Sequence, residues 1–287
     1  MTEKFNINEA IENRRSIRNF HDLPLHRPIV GQISNWLDDP ANLTGPFGSE
    51  FEFELLIESG EGKERLGTYG FIKNAQGYIV GSSPKDTYSL VEFGYVFERM
   101  VLFLTSINVG TCWLAGTFDR QQLNSRLSLD GDRIIPAITP IGAPTKNKHF
   151  KEKITRRVIK ADGRKPANEL FFYQDFGQPL DGMAEEFHMP LHYVRIGPSA
   201  KNMQPWRLVF NEDLSQVHFY LISDYRSEKK FACDVRYLDI GIALCHFTAG
   251  TEAAGIPGKL ITADPQLPGA GSHEYITTWV RADQNSK

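Results

Sequence analysis

Two periods of hydrophobic residues divide this chain into helices and strands. Apolar positions three or four residues apart predict helices over 28–36 and 88–109, and in the second half up to Ile196 and over 237–254. Alternating or short apolar runs predict strands over 51–57, 77–80, 217–222 and 275–280. A strand over 134–141 is expected at a sheet edge, because Pro136 and Pro140 lack backbone donors.

A basic cluster follows the first predicted helix, which Asn6 or Asn8 can cap. The cluster consists of Arg14, Arg15, Ser16 and Arg18, with Phe20 just beyond it. Arginine offers a planar fork of donors and serine a hydroxyl donor, so this combination suits a phosphate. The alternative is a solvated helix end, where basic side chains favour the negative end of the helix dipole.

The stretch Arg195–Phe210 joins a helix to a strand and carries a second polar group of residues. Gly197 and Pro198 end the helix, and Gln204-Pro205-Trp206 stiffens the chain before the strand. Ser199 and Asn202 are candidates for a binding site at the rim of the core. A simple turn capped by Ser199 is the structural alternative.

The small-residue loop Thr111–Gly116 follows the long helix where that helix ends at Gly110. A flat ligand could press against the backbone of this loop.

An internal duplication relates the two long helices. An offset of 147 positions places Glu92 on Asp239 and Gly94 on Gly241 without a gap. Both helices are interpreted as opening with an acid that suits the helix dipole, followed by a glycine that lets two helices approach closely. The first half has the arginine cluster and the second half has the Ser199, Asn202 and Gln204 stretch. This complementarity predicts one composite site built by two related halves.

Composition narrows the class of protein. The 287 residues carry a net charge of −3 and are 41% hydrophobic, so a full core is expected, and binding to nucleic acid or to a membrane surface is not. The apolar runs are too short and too interrupted by charge for a membrane span. Cys112, Cys233 and Cys245 have no metal-like spacing, and their odd number argues against a disulfide framework. With no apolar leader at the N-terminus, a cytoplasmic location is expected.

The run Lys146–Lys165 is strongly basic and is interpreted mainly as a solvated connector. Nucleic-acid binding through this run is the remote alternative. Pro166 then begins the second half, so the expected division is 1–165 and 166–287, with both parts forming one integrated unit.

The motifs together resemble the FMN-dependent nitroreductase superfamily, in the branch where two half-subunits are fused into one polypeptide. Arg-Arg-Ser-x-Arg-x-Phe at 14–20 is similar to that family's phosphate-binding motif, and Pro-Ser-x-x-Asn-x-Gln-Pro-Trp at 198–206 to its second motif. The resemblance implies an α+β fold with mixed or antiparallel sheets packed with helices. It also implies an internal pseudo-dimer, which makes a monomer feasible.

The resemblance assigns the expected roles. Arg14, Arg18 and Arg164 would hold the FMN phosphate with help from Arg15 or Ser16, and Pro198, Ser199 and Asn202 would come from the other half. Gln204 could reach the pyrimidine edge. Leu114, Ala115 and Gly116 match the segment along the isoalloxazine edge, where a backbone N–H reaches the flavin N5. Many members have Glu where this chain has Ala115, so any role of that carboxylate is absent.

The implied activity is NAD(P)H-driven, ping-pong reduction of a nitroaromatic, a quinone or a similar small electrophile, with no dedicated catalytic side chain and no metal. Two alternatives remain at this point. The protein could be a flavin-binding sensor or reservoir with little turnover, or a flavin-remodelling or dehalogenating member of the same superfamily.

Overall fold

A computed structural model describes residues 5–58, 66–127, 129, 131–145, 163–223 and 231–282 of the chain. Its helices are α1 (Ile7–Asn13), α2 (Arg27–Leu37), α3 (Pro40–Leu43), α4 (Thr87–Ser106), α5 (Arg120–Leu127), α6 (His188–Ile196) and α7 (Val235–Ala253). Its strands are β1 (Phe53–Ile57), β2 (Gly77–Gly81), β3 (Ser83–Pro84), β4 (Gly110–Thr111), β5 (Arg133–Ile134), β6 (Ile138–Gly142), β7 (Phe171–Tyr173), β8 (Trp206–Phe210), β9 (Gln216–Ile222), β10 (Gly258–Ile261) and β11 (His273–Arg281). Most of the basic run, 146–162, lies outside the described residues.

The first helix and the two long helices begin at short polar side chains that accept backbone N–H groups. Asn6 accepts from Glu9 N (3.2 Å) at α1, so Asn6 rather than Asn8 is the cap. Asp86 caps α4 through Ser89 N (3.0 Å), and Asp234 caps α7 through Arg236 N (3.0 Å). Each cap supplies a partner to a donor that has none inside the helix. No helix in the described part of the chain is long and apolar enough to cross a membrane.

Each half of the chain builds its own sheet. The first sheet has the order β1-β2-β6-β4 with antiparallel neighbours. The second has the order β10-β11-β9-β8-β7, antiparallel except for the parallel pair β7 and β8. All five residues of β2 and of β6 are buried, as their apolar sequences predict. The mixed α+β class is confirmed.

Helices α4 and α7 cross at the two glycines that the duplication pairs. A Cβ on Gly94 would lie 2.9 Å from Leu238 Cα, and one on Gly241 would lie 2.7 Å from Tyr95 N. Both distances are shorter than real Cβ contacts, so only glycine permits this approach. The predicted close helix packing is confirmed, and it is the central contact between the halves.

The paired acids Glu92 and Asp239 have a different role from the one predicted. Neither lies in the first turn of its helix, because Asp86 and Asp234 already cap those ends. Instead, Glu92 accepts from Phe47 N (2.7 Å) in the loop before β1. Asp239 accepts from Ala200 N (2.9 Å) in the loop before β8. The equivalent acids therefore fasten equivalent loops, which supports the pseudo-dimeric interpretation.

Two element predictions are wrong. The strand expected over 134–141 is divided into β5 and β6, and β6 begins only at Ile138. Strand β6 is not at an edge, since β2 pairs along one side and β4 covers its last residues, Ile141 and Gly142. Strand β4 has only two residues and does not extend as far as Pro140. No residue of β4 therefore loses a hydrogen bond because the proline lacks an N–H. In the second half, a helix up to Ile196 is found only from His188. The preceding apolar residues 171–173 instead form β7, because they pair with β8.

Candidate functional site

The arginine cluster runs beside the start of the loop Thr111–Gly116, hereafter the edge loop. Helix α1 ends at Asn13, and Arg14 closes it through its N–H to Ala10 O (2.8 Å). The chain then extends, with Ser16 bridged in parallel to Thr111 and Ile17 N donating to Thr111 O (2.7 Å). Two segments nearly 100 positions apart are thus neighbours.

Alternate residues of this extended segment face different surroundings. Arg15 and Ile17 line a cavity of about 1040 Å³ beside α1, α2 and the end of α4, whereas Arg14 and Arg18 do not line it. Arg15 also donates to Glu12 O and to Arg14 O, each at 2.7 Å. The structure therefore separates Arg15 from the other two arginines.

The guanidinium of Arg18 has a buried donor available. Its Nη1 is shielded from solvent and has no hydrogen-bond partner within the described residues. A buried donor without an acceptor costs roughly 1–3 kcal/mol, so this position favours an acceptor supplied by a ligand. A phosphate oxygen fits that requirement.

Two outer contacts hold the edge loop in place. Leu114 and Ile138 exchange backbone hydrogen bonds of 3.0 and 2.9 Å, which join the loop to β6. The Arg120 guanidinium donates to Ala115 O (2.7 Å), and burial lowers the pKa of Arg120. The N–H of Leu114 is therefore already bonded to Ile138 O. Those of Ala115 and Gly116 have no backbone acceptor in the described part of the chain.

The second motif folds into a tight 3₁₀ turn after α6. Gly197 ends the helix as predicted, and Ala200–Asn202 form the turn. Ser199 does not cap this turn through its side chain; its Oγ accepts from Gln204 N (2.9 Å) and closes the loop. Lys201, Asn202 and Gln204 have φ angles of 52°, 58° and 49°. Three left-handed residues other than glycine within four positions mark a strained segment, of the kind that clusters at binding sites.

The segment 163–165 docks on this turn. Arg164 donates to Asn202 Oδ1 (2.8 Å) and to Ile196 O (3.1 Å). Lys165 N donates to Gln204 Oε1 (3.0 Å), and Asn202 Nδ2 donates to Gly163 O. Asn202 and Gln204 thus bind their own chain in this structure, and their contacts with a ligand stay a prediction. Arg164 thus contacts the second motif, and its contact with a phosphate stays a prediction as well.

A buried carboxylate links the first motif to the edge loop and to the second half. Glu98 of α4 is fully buried; its Oε1 lies 3.8 Å from Arg14 Nε, and its Oε2 accepts from Trp113 Nε1 (2.7 Å) in the edge loop. Its Oε1 also lies 2.9 Å from Nε2 of the equally buried His246 on α7. The other ring nitrogen of His246 contacts Tyr193 O (2.9 Å), one turn before Gly197. The two halves therefore meet at a polar network between the predicted motifs.

A second buried acid supports the turn itself. Burial raises the pKa of Asp239 to about 8, although the hydrogen bond from Ala200 N opposes this shift. The carboxyl is therefore largely protonated at neutral pH while it holds the backbone of the turn.

Sequence reasoning missed Glu98 and His246 as site residues. Each is a buried ionisable residue of a long helix that is mostly apolar. Burying such a group is costly unless it is paired, so each helix implied a partner for it. The partner could not be identified, because the contact spans 148 positions.

Comparison with known proteins identifies the family. The family described as "Putative TM nitroreductase" matches residues 6–251, and the chain belongs to this family. Among solved structures, a "putative nitroreductase" from Thermotoga maritima covers 98% of this chain and 95% of its own, with 21% identity and a TM-score of 0.60. That similarity confirms the nitroreductase fold over nearly the whole chain.

Other similar structures match about half of the chain. A nitroreductase with bound FMN from Bacteroides fragilis covers 52% of this chain and 94% of its own, at 17% identity and a TM-score of 0.38. An FMN-dependent nitroreductase from Clostridium difficile covers 52% and 94%, at 16% identity and a TM-score of 0.37. No curated protein matches the chain.

Proposed function

We propose that this chain is an FMN-dependent oxidoreductase in which one flavin binds between the two halves. The observation that carries the proposal is a polar network that spans the two halves. It links Arg14 of the first motif through Glu98 and His246 to Tyr193 O, in the helix that precedes the second motif, and Trp113 attaches the edge loop to it. Membership of a nitroreductase family and the FMN named for two similar structures support the choice of cofactor.

The phosphate is assigned to guanidinium groups from two separate segments of the first half. Arg14 and Arg18 come from the segment after α1, and Arg164 comes from the segment docked on the second motif. The buried Nη1 of Arg18 supplies a donor suited to a phosphate oxygen. Ser16 extends the same donor set, whereas Arg15 faces the separate cavity and is the least supported member.

The edge loop is assigned to the reactive edge of the ring system. FMN supplies the hydride-transfer chemistry when bound, and the chain orients it and provides polar contacts. The N–H groups of Ala115 and Gly116 are the candidate donors towards the ring, since the N–H of Leu114 is bound to Ile138. Pro198, Ser199, Asn202 and Gln204 would border the flavin from the second half, with the strained turn presenting its backbone.

We propose NADH or NADPH as the reductant and a nitroaromatic, a quinone or a similar electrophile as the acceptor. The test is anaerobic stopped-flow absorbance of the FMN-loaded protein after addition of each nicotinamide. Rapid bleaching of the flavin, followed by recovery when an acceptor is added, is the expected result. A protein that does not retain FMN would contradict the proposal.

Two other outcomes distinguish related functions. Retention of FMN with bleaching too slow for turnover would indicate a flavin sensor or reservoir. Consumption of FMN itself, or release of halide from a halogenated phenol, would instead indicate a remodelling or dehalogenating enzyme.

A further inference from the structure

The contacts of His246 determine how many protons the buried pair Glu98 and His246 must hold. Nδ1 lies 2.9 Å from Tyr193 O, and a carbonyl oxygen only accepts, so Nδ1 must carry a hydrogen. Nε2 lies 2.9 Å from Glu98 Oε1, and this contact also needs a hydrogen between the two atoms. A neutral imidazole has only one N–H, so the pair requires one proton more than a neutral histidine beside an ionised carboxylate.

The extra proton fixes the charge of the pair. Whether it resides on the imidazole or on the carboxyl, the sum of the two groups is zero. Cys245 also interacts electrostatically with Glu98, but burial raises the pKa of its thiol, which therefore stays uncharged at neutral pH. Within the described residues, Glu98 also contacts the side chains of Arg14 and Trp113, and Trp113 is neutral.

We propose that Glu98 and His246 are positioning residues for the flavin site: they share one proton, so the pair orients Arg14 and the edge loop without subtracting from the positive charge offered to the phosphate. A lone buried glutamate could make the same contacts with Arg14 and Trp113, but it would offset one positive charge beside the anion site. His246, which belongs to the other half of the chain, cancels this negative charge. This inference rests on the proposed FMN site.

Isosteric substitutions separate this charge balance from a merely structural role. Glu98→Gln can accept from Trp113 and donate to the Nε2 of a neutral His246, so these two hydrogen bonds and the net charge are kept, while an NH2 group replaces the oxygen that faces Arg14 Nε. His246→Gln can still donate to Glu98, but it leaves the carboxylate charge unbalanced. The double substitution Glu98→Gln with His246→Gln removes both the carboxylate and the imidazole, so the net charge returns to its original value.

The experiment is equilibrium titration of each flavin-free variant with FMN and with riboflavin, which lacks the phosphate. We expect Glu98→Gln to keep FMN affinity within about threefold and His246→Gln to weaken it about tenfold, the order expected for one nearby unit charge. The double variant should recover to within about threefold of the parent. The affinity for riboflavin should not change with the net charge of the pair, because riboflavin has no phosphate. Weakening of FMN and riboflavin alike, without recovery in the double variant, would overturn the proposal.

The chain offers a matched control on its surface. Glu12 and His192 form a carboxylate and imidazole contact of 3.1 Å between α1 and α6, but both side chains are largely exposed. Glu12→Gln and His192→Gln should therefore leave FMN affinity unchanged, because solvent screens such a pair.

A direct readout does not depend on flavin. Nitrogen NMR of the flavin-free protein with labelled histidine, with His246 assigned by its loss in His246→Gln, reports which ring nitrogens carry hydrogen. A protonated Nδ1, either alone or together with Nε2, is expected. Hydrogen on Nε2 with a bare Nδ1 would overturn the inference even if FMN binds. A parent protein that binds no FMN but has a protonated Nδ1 would contradict the proposed function and the positioning role built on it, and would leave the shared proton standing.

Discussion

At the scale of one residue, Asp239 has a different role from the one that its sequence pattern predicted. Sequence reasoning identified the acid and its relation to Glu92, but interpreted both as partners of the helix dipole. The structure places Asp239 beyond the first turn, fully enclosed, with its Oδ1 on Ala200 N (2.9 Å). Neither the loop contact nor the burial follows from local sequence, because both depend on the second motif folding back onto α7.

The raised pKa of Asp239 predicts a pH-dependent stability. Its pKa is about 8 when folded against an ordinary value of 3.8, so the folded state binds more protons between these values and stability falls as pH rises. Asp239→Asn keeps an acceptor for Ala200 N–H and cannot ionise. Relative to the parent, its free energy of unfolding should rise by about 2 kcal/mol from pH 6 to pH 9, as measured by denaturant titration.

An exposed acid provides the control for this measurement. The hydrogen bonds from Ser215 lower the pKa of Asp213, so that carboxyl is ionised throughout the range tested. Asp213→Asn should shift the free energy of unfolding by a constant offset, which is the same at pH 6 and at pH 9. A constant offset for Asp239→Asn as well would show that this residue does not titrate in the folded protein.

At the scale of elements, hydrophobic periodicity predicted the long helices and most strands. It failed for strands whose formation or position depends on pairing with another strand. Helix α4 and strands β2, β9 and β11 follow from their own apolar patterns. Strand β7 has three residues and exists through its parallel pairing with β8, so no local pattern could distinguish it from a helical segment. The placement of β6 inside its sheet likewise depends on the two-residue β4.

The crossing of α4 and α7 predicts a severe effect of a single methyl group. Gly241→Ala places a Cβ against the backbone of α4, which has no flexible side chain to move aside. We expect it to lower the free energy of unfolding by about 2–4 kcal/mol in urea titration. FMN retention should decrease with it, since the same crossing brings Glu98 and His246 together.

Gly31 supplies the matched control within a helix. It lies in α2 with no atom within 4 Å of the position that its Cβ would occupy. Gly31→Ala should therefore be neutral or stabilising by up to about 1 kcal/mol, through helix propensity alone. Equal effects at the two glycines would refute the close-packing account.

At the scale of the whole molecule, the proposed flavin site draws on both halves of the chain. The candidate site was predictable from the sequence in its residue types, because the arginine cluster and the Pro198–Trp206 motif each occur once, in different halves. Its assembly was not predictable, because Glu98, His246 and the docking of Arg164 on Asn202 are contacts between distant segments. In the proposed site, fusion of the halves lets one half carry the arginines assigned to the phosphate while the other carries the turn.

The central claim is that the halves together form a single flavin site, and the stoichiometry of FMN binding tests it most directly. Flavin-free protein of known concentration would be titrated with FMN, with quenching of tryptophan fluorescence as the signal, since Trp113 lies within the edge loop bonded to Glu98. The account predicts a sharp end point at one FMN per chain. An end point at two FMN per chain, or no saturable binding, would contradict it.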